Sequence, residues 1–168
     1  MKLQLKNIKF YENLSEETNC FIADLFINGK KIAYVKNDGR GGSTDYGLYN
    51  IESKEILRET ELYFNSMPMK RNEEFNINYQ PTLESEIDEL FEQWLKIKAD
   101  KKFNKDMENG ILYGTDKRFY YNIVSWNTPI KKMLMTDKGK EIIRNKISHI
   151  KQNGEIVFNT NIPKELFD

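Results

Sequence analysis

The stretch "CFIADLFINGKKIAYV", Cys20–Val35, decides how the chain folds. Cys20–Ile27 is dense in apolar and aromatic residues of strand character, and Asn28-Gly29 follows it at once. A two-residue type I′ turn needs positive φ at both central positions, and Asn-Gly supplies it at least cost. Lys31–Val35 then returns as the partner strand. Upstream, Leu3 and Leu5 and then Ile8 and Phe10 predict an opening strand with a slip between the two pairs. The chain therefore starts as an antiparallel meander of about three strands. The loop Asn37–Gly47 is its exit.

Downstream, the spacing predicts a helix over Ile51–Met67, stopped before Pro68. An irregular connector follows, with a short edge strand at Phe75–Tyr79. Pro81-Thr82 opens the clearest helix, whose apolar face is Leu83, Ile87, Leu90, Phe91, Trp94 and Leu95. It frays through "KADKKFNKDMENG" and stops at Asn109-Gly110. Ile111–Tyr113 and Arg118–Trp126 read as a hairpin around Gly114-Thr115-Asp116. Thr128-Pro129 introduces a helical segment, interrupted near Gly139, that runs to Lys151 and ends at Asn153-Gly154. "EIVFNT" is a last strand.

The order β-β-β-α-α-β-β-α-β gathers strands into hairpins rather than alternating them singly with helices. The fold class is therefore α+β: an antiparallel sheet built from an N-terminal β-meander and a later hairpin, packed against about three helices. With 168 residues and no linker or repeat, 1–168 is expected to be a single domain.

Composition narrows the function classes. Lys and Arg number 26 and Asp and Glu 26, so the formal net charge is zero. No global field draws in a polyanion, and bulk nucleic acid is disfavoured as a partner. The charge is uneven all the same. Glu73–Leu95 carries acidic residues and no Lys or Arg, while Lys131–Lys151 is basic. Solvated helix faces are the plain reading, and charged docking surfaces the sharper one. A single cysteine, Cys20, and a single histidine, His149, exclude a disulfide and any multi-cysteine metal site. No apolar run reaches membrane-spanning length and the N-terminus lacks a signal-peptide core, so a soluble, cytoplasmic protein is expected, with no membrane partner.

The candidate site is the glycine-rich exit loop: Asn37, Asp38, Gly39, Arg40, Gly41, Gly42, Ser43, Thr44, Asp45 and Tyr46. Successive turned amides at Gly39, Gly41 and Gly42 form anion-binding nests, and Arg40 adds a guanidinium fork. Asp38 or Asp45 accepts from a ribose, Ser43 and Thr44 offer hydroxyls, and Tyr34, Tyr46 or Tyr49 offers a ring. That inventory fits a nucleotide-like ligand. The loop is no NTPase phosphate loop, because no Gly-Lys-Ser/Thr follows, and Thr44 breaks the dinucleotide fingerprint. A plain turn between two pieces of the fold is the competing reading.

Catalytic machinery is hard to assemble. His149 sits in the last turns of a helix, a structural place for an imidazolium, and no nucleophile has a motif around it. Glu84, Asp88 and Glu92 share one helical stripe, read as solvated. "RFYYNIVSW" offers Tyr120 and Asn122 beside Arg118 for stacking, although sheet packing explains it as well. "FNTNIP", Phe158–Pro163, reads as a turn closed by its own asparagines. No cofactor and no metal site is expected.

Two segments, "GKKIAYVKNDGRGGSTDY" (Gly29–Tyr46) and "EIVFNTNIP" (Glu155–Pro163), resemble stretches of small accessory proteins carried by bacteria and bacteriophages. The resemblance covers these two segments and brings no catalytic motif. It implies an accessory protein of a phage or mobile element, a group in which binders that blunt host defence are common. The leading expectation is a non-catalytic sponge that sequesters a nucleotide-derived small molecule through loop 37–47. A protein–protein inhibitor of a host enzyme, docking through helix 83–95 or 131–151, is the alternative. A metal-dependent nucleotide-processing enzyme comes third. A homo-oligomer is compatible with all of them.

Overall fold

The computed structural model describes residues 1–73, 76–116 and 120–167. By their contacts they form two compact units, Met1–Leu95 and the chain from Lys96 onward. The fold class is α+β, with antiparallel sheets and helices as the hairpin grouping predicts.

In the first unit, β1 (Leu3–Phe10), β2 (Phe21–Ile27), β3 (Lys30–Asn37) and β4 (Asp45–Leu48) make one antiparallel sheet in sequence order. Asn28 and Gly29 both have positive φ, as the turn requires. The predicted slip in the opening strand is a bulge between Lys6 and Lys9, with Asn7 at φ 53°. The meander has a fourth strand, however. Tyr46 pairs with Val35 and Asp45 with Lys36, so the glycine-rich loop is no exit but a hairpin loop between β3 and β4. A four-residue strand containing Gly47 has too little periodicity to show in a sequence.

Alternation divides the sheet. Phe21, Ala23, Leu25, Ile27 and Val35 face inward, against Phe64 of α1 (Ser53–Asn65) and Leu83, Ile87 and Phe91 of α2 (Leu83–Asn109). The Phe21 and Phe91 rings stack with centroids 3.9 Å apart. Each such fully buried side chain contributes roughly 1.5–3 kcal/mol. Between the two helices, β5 (Lys70–Asn72) pairs with β6 (Ile77–Tyr79). The predicted edge strand thus begins at Ile77 among the described residues, and Phe75 lies outside them.

Helix α2 does not fray after Leu95 but continues to Asn109. Phe103 and Met107, one turn apart, are buried in the second unit with Leu112, beside Tyr121 and Phe158. Those two anchors hold a stretch that is otherwise mostly exposed and polar. In this unit β7 (Gly110–Gly114) lies between β8 (Asn122–Ser125) and β9 (Ile156–Val157). Of the predicted strand Arg118–Trp126, Arg118 and Phe119 lie outside the described residues. The helical segment after Pro129 is two helices, α3 (Ile130–Met133) and α4 (Asp137–Gln152). The break falls before Gly139, because Thr136 caps α4 by accepting from the Gly139 N–H at 3.1 Å. Ile143, Ile147 and Ile150 of α4 close a core with Ile111, Ile130 and Ile162.

Candidate functional site

The β3–β4 loop is folded upon itself through Asn37, a buried residue at the end of β3. Its Oδ1 accepts from Thr18 Oγ1 at 2.8 Å and from the Gly39 N–H at 2.9 Å. Its Nδ2 donates to Gly42 O at 3.1 Å and Thr44 Oγ1 at 3.2 Å. Asp38 accepts from the Arg40 N–H, and Thr18 Oγ1 from the Gly41 N–H. The amides of Gly39, Arg40 and Gly41 therefore donate inside the protein, each to a local acceptor of the kind an asparagine or aspartate turn supplies. Gly39 returns the bond: its carbonyl accepts from Glu16, Glu17 and Thr18, tying the loop to the segment before β2.

The rest of the loop is held by α2. Glu84 Oε1 accepts from the Thr44 N–H at 2.9 Å, and Asp88 Oδ1 from the Thr44 hydroxyl at 2.6 Å. Glu92 Oε1 accepts from Asn19 Nδ2 at 2.7 Å. The stripe is therefore solvated only in part: Glu84 and Asp88 are half-buried and grip the loop, while the exposed Glu92 holds its neighbour. Helical spacing was visible in the sequence, but the facing partner was not, since Thr44 is 40 residues from Glu84. Further along the helix, Glu86 and Glu89 both pair with Lys70. The carboxylates of Leu83–Leu95 are all engaged within their own unit.

Burial, first, and then the nearby Glu84 charge push the Asp88 carboxyl above the usual carboxylate range, against the opposing Thr44 hydrogen bond. A raised folded pKa means that ionised Asp88 opposes folding above that pKa and makes no difference below the unfolded value. Asp88→Asn keeps an oxygen to accept from Thr44 and drops the charge. It is expected to raise the melting midpoint at neutral pH. The gain should vanish as pH falls through the carboxylate range. A drop of several degrees at neutral pH would show instead that the charge itself holds the loop.

Between loop and helix lies a pocket of about 310 Å³ lined by Glu17, Thr18, Asn19, Phe21, Asn37, Gly42, Asp88, Phe91 and Glu92. Phe21 and Phe91, buried in the core, reach it only at their edges. Three carboxylates, of Glu17, Asp88 and Glu92, stand on its walls. Its hydroxyl and amide groups, Thr18 Oγ1 and Asn19 Nδ2, already donate to Asn37 and Glu92. The pocket is rich in acceptors and poor in donors. Such a lining complements N–H and O–H donors and repels a phosphate.

The predicted site residues thus separate. Asn37 and Gly42 line the pocket, Gly39 and Thr44 are buried supports, and Asp38 and Arg40 are exposed on the loop. Ser43 and Asp45 are exposed as well, Asp45 within β4. Tyr46 turns to the inner side, where its hydroxyl donates to Glu61 at 2.7 Å. Burial and then that carboxylate push its pKa up. Glu17 and Asn19, in the irregular segment before β2, and Asp88 and Glu92 of α2 were missed as pocket residues, because both segments are remote in sequence from the loop.

Elsewhere, His149 is exposed on the last turn of α4, with Asn153 Nδ2 3.3 Å from its Nδ1. Tyr120 is 88% exposed, while Tyr121 donates to Asp106 and packs edge-on against Phe103. Arg118, the cation expected beside Tyr120 and Asn122, lies outside the described residues. Among the described residues no group of three or more His, Cys, Asp or Glu is placed to hold a metal ion. No described helix is long and apolar enough to cross a membrane. Compared with family models, curated proteins and solved structures, the chain gives no match.

Proposed function

We propose that the protein is a non-catalytic binder that sequesters a small nucleoside-like or nucleotide-derived molecule in the pocket under the β3–β4 loop. The observation that carries this reading is the acceptor-rich wall of Glu17, Asp88 and Glu92. A nucleobase presents ring and exocyclic N–H groups, which are the complement of that wall. Any phosphate of the ligand stays outside, toward Arg40, two residues before Gly42 at the pocket wall. The pocket hydroxyls of Thr18 and the supporting Thr44 are donors in internal bonds, an arrangement suited to holding rather than attacking. Capture without turnover also agrees with the resemblance to small phage-borne proteins.

The test is a thermal-shift series with the common nucleosides, their monophosphates and NAD. A ligand at a hundred times its Kd adds about 2.7 kcal/mol, roughly 5–10 °C here. The shift is expected with at least one nucleoside and lost when Glu17→Gln and Glu92→Gln are combined. Arg40→Ala should weaken only the phosphorylated forms. Silence across the series, or a shift indifferent to the double variant, would remove this reading.

A further inference from the structure

The inner face of the first unit's sheet is core and pocket; its outer face is open and differently built. Register places Gln4, Lys6 and Lys9 of β1, Ile22, Asp24 and Phe26 of β2, and Lys31, Tyr34 and Lys36 of β3 on that side. Tyr34 is 45% exposed and Ile22 41%, high for an aromatic and a β-branched residue in the middle of a sheet. The Tyr34 ring lies flat across β4 at Gly47: a Cβ there would come within 2.5 Å of its Cζ and hydroxyl oxygen. Gly47 is thus the seat of a ring laid along the sheet, its other face turned outward. Tyr49 meets it edge-on, with centroids 6.0 Å apart.

The one acid in the centre of this face is already engaged. Asp24 accepts from Asn7 Nδ2 at 2.7 Å and from the Tyr49 hydroxyl, and pairs with Lys31 at 3.0 Å. Around it stand Lys6, Lys9 and Lys36, against Asp45 at the edge. A hollow of about 360 Å³ opens between Lys9 and Lys36 on one side and Tyr34 and Tyr49 on the other, floored by Ile22. The zero net charge of the chain conceals this local excess of lysine.

We propose that this outer face binds single-stranded nucleic acid. An open sheet with a pre-seated ring offers a base its π-face, and lysines at the spacing of neighbouring strands meet the phosphates on either side. Three lysines are too few to hold a duplex by charge alone. The stacked ring reaches only a base that is out of a helix, so the strand must be single. The proposal is independent of the pocket: Phe21 and Asn37, which line the pocket, point to the opposite side of the sheet.

The experiment is fluorescence anisotropy of a labelled mixed-sequence oligonucleotide about ten nucleotides long, as DNA and as RNA, with a hairpin duplex beside them. Saturable binding to at least one single strand is expected, with a log–log salt slope of about −2 for three lysines. Tyr34→Leu should weaken it roughly 5- to 100-fold and Tyr34→Phe should not. Gly47→Val, which unseats the ring, should match Tyr34→Leu. Replacing Lys9 and Lys36 by Gln should flatten the slope by about 1.4. Tyr34 is a surface residue, so an unchanged melting midpoint certifies the Tyr34→Leu variant as folded. Absence of binding at low salt, equal binding of duplex, or indifference to Tyr34→Leu in the folded variant would each overturn the proposal.

Discussion

Gly39→Ala is expected to destabilise the protein by about 3 kcal/mol, the sum of two independent costs. Gly39 has φ 85°, where a Cβ costs about 1–2 kcal/mol. The Cβ would also stand 2.3 Å from the Leu14 carbonyl oxygen and 2.8 Å from the Cys20 Cβ. Both neighbours are fixed in the backbone, so the loop must move, and overpacking adds about 1–3 kcal/mol. Movement also withdraws the Gly39 carbonyl from Glu16, Glu17 and Thr18, the three N–H groups that share it. Two other glycines calibrate the result. Gly41 has φ 82° but faces the carboxylate end of the Glu17 side chain, which can swing away, and Gly29 at φ 85° faces open space. Chemical-denaturation midpoints should therefore fall in the order Gly39→Ala most, Gly41→Ala less, Gly29→Ala least. Equal losses at Gly39 and Gly29 would mean that the loop is not anchored on Leu14.

A loss of about 3 kcal/mol is also expected for Asn159→Ala. Asn159 is buried, and its Oδ1 accepts from the Leu112 N–H at 2.7 Å. Its Nδ2 donates to Gly110 O at 3.0 Å and to Asn161 Oδ1 at 2.9 Å, with Met107 O at 3.4 Å. Asn161 Nδ2 in turn donates to Met107 O at 2.8 Å. One amide thus joins the end of α2 to the start of β7. Truncation strands the N–H of Leu112, a residue with no exposed surface, and the Gly110 carbonyl, at about 1–3 kcal/mol for each group. Asn159→Asp is the sharper variant. It keeps the acceptor for Leu112 but turns a second oxygen toward the carbonyls of Gly110 and Met107. Those carbonyls and burial favour the protonated acid and raise its pKa. Its deficit should therefore be full at neutral pH and shrink as pH falls through that raised value. The absence of a deficit at neutral pH would show that the donor side of Asn159 carries nothing.

The asparagines of "FNTNIP" show why part of the molecule was not legible. Their type and spacing announced a turn that bonds its own backbone. The partners are instead the backbone of Met107, Gly110 and Leu112, about fifty residues earlier. The glycine-rich loop divides the same way. That it is a tight, turned connection beside Asn37 could be read from its residues. That its amides are internally satisfied depends on Thr18 as well as on its own Asn37 and Asp38.

The hairpin at Asn28-Gly29, the bulge between Lys6 and Lys9, the apolar face of α2 and the α+β class follow from the chain alone. Each rests on φ preference or on side-chain period, which act over a few residues. The strand β4, the unbroken run of α2 to Asn109, the grip of Glu84 and Asp88 on Thr44 and the seating of Tyr34 on Gly47 were decided by the tertiary structure. In each of these a weak local signal is overruled by burial or by a hydrogen bond to a residue distant in sequence. Periodicity records which side of an element is apolar; which polar group stands opposite is set only when the elements meet.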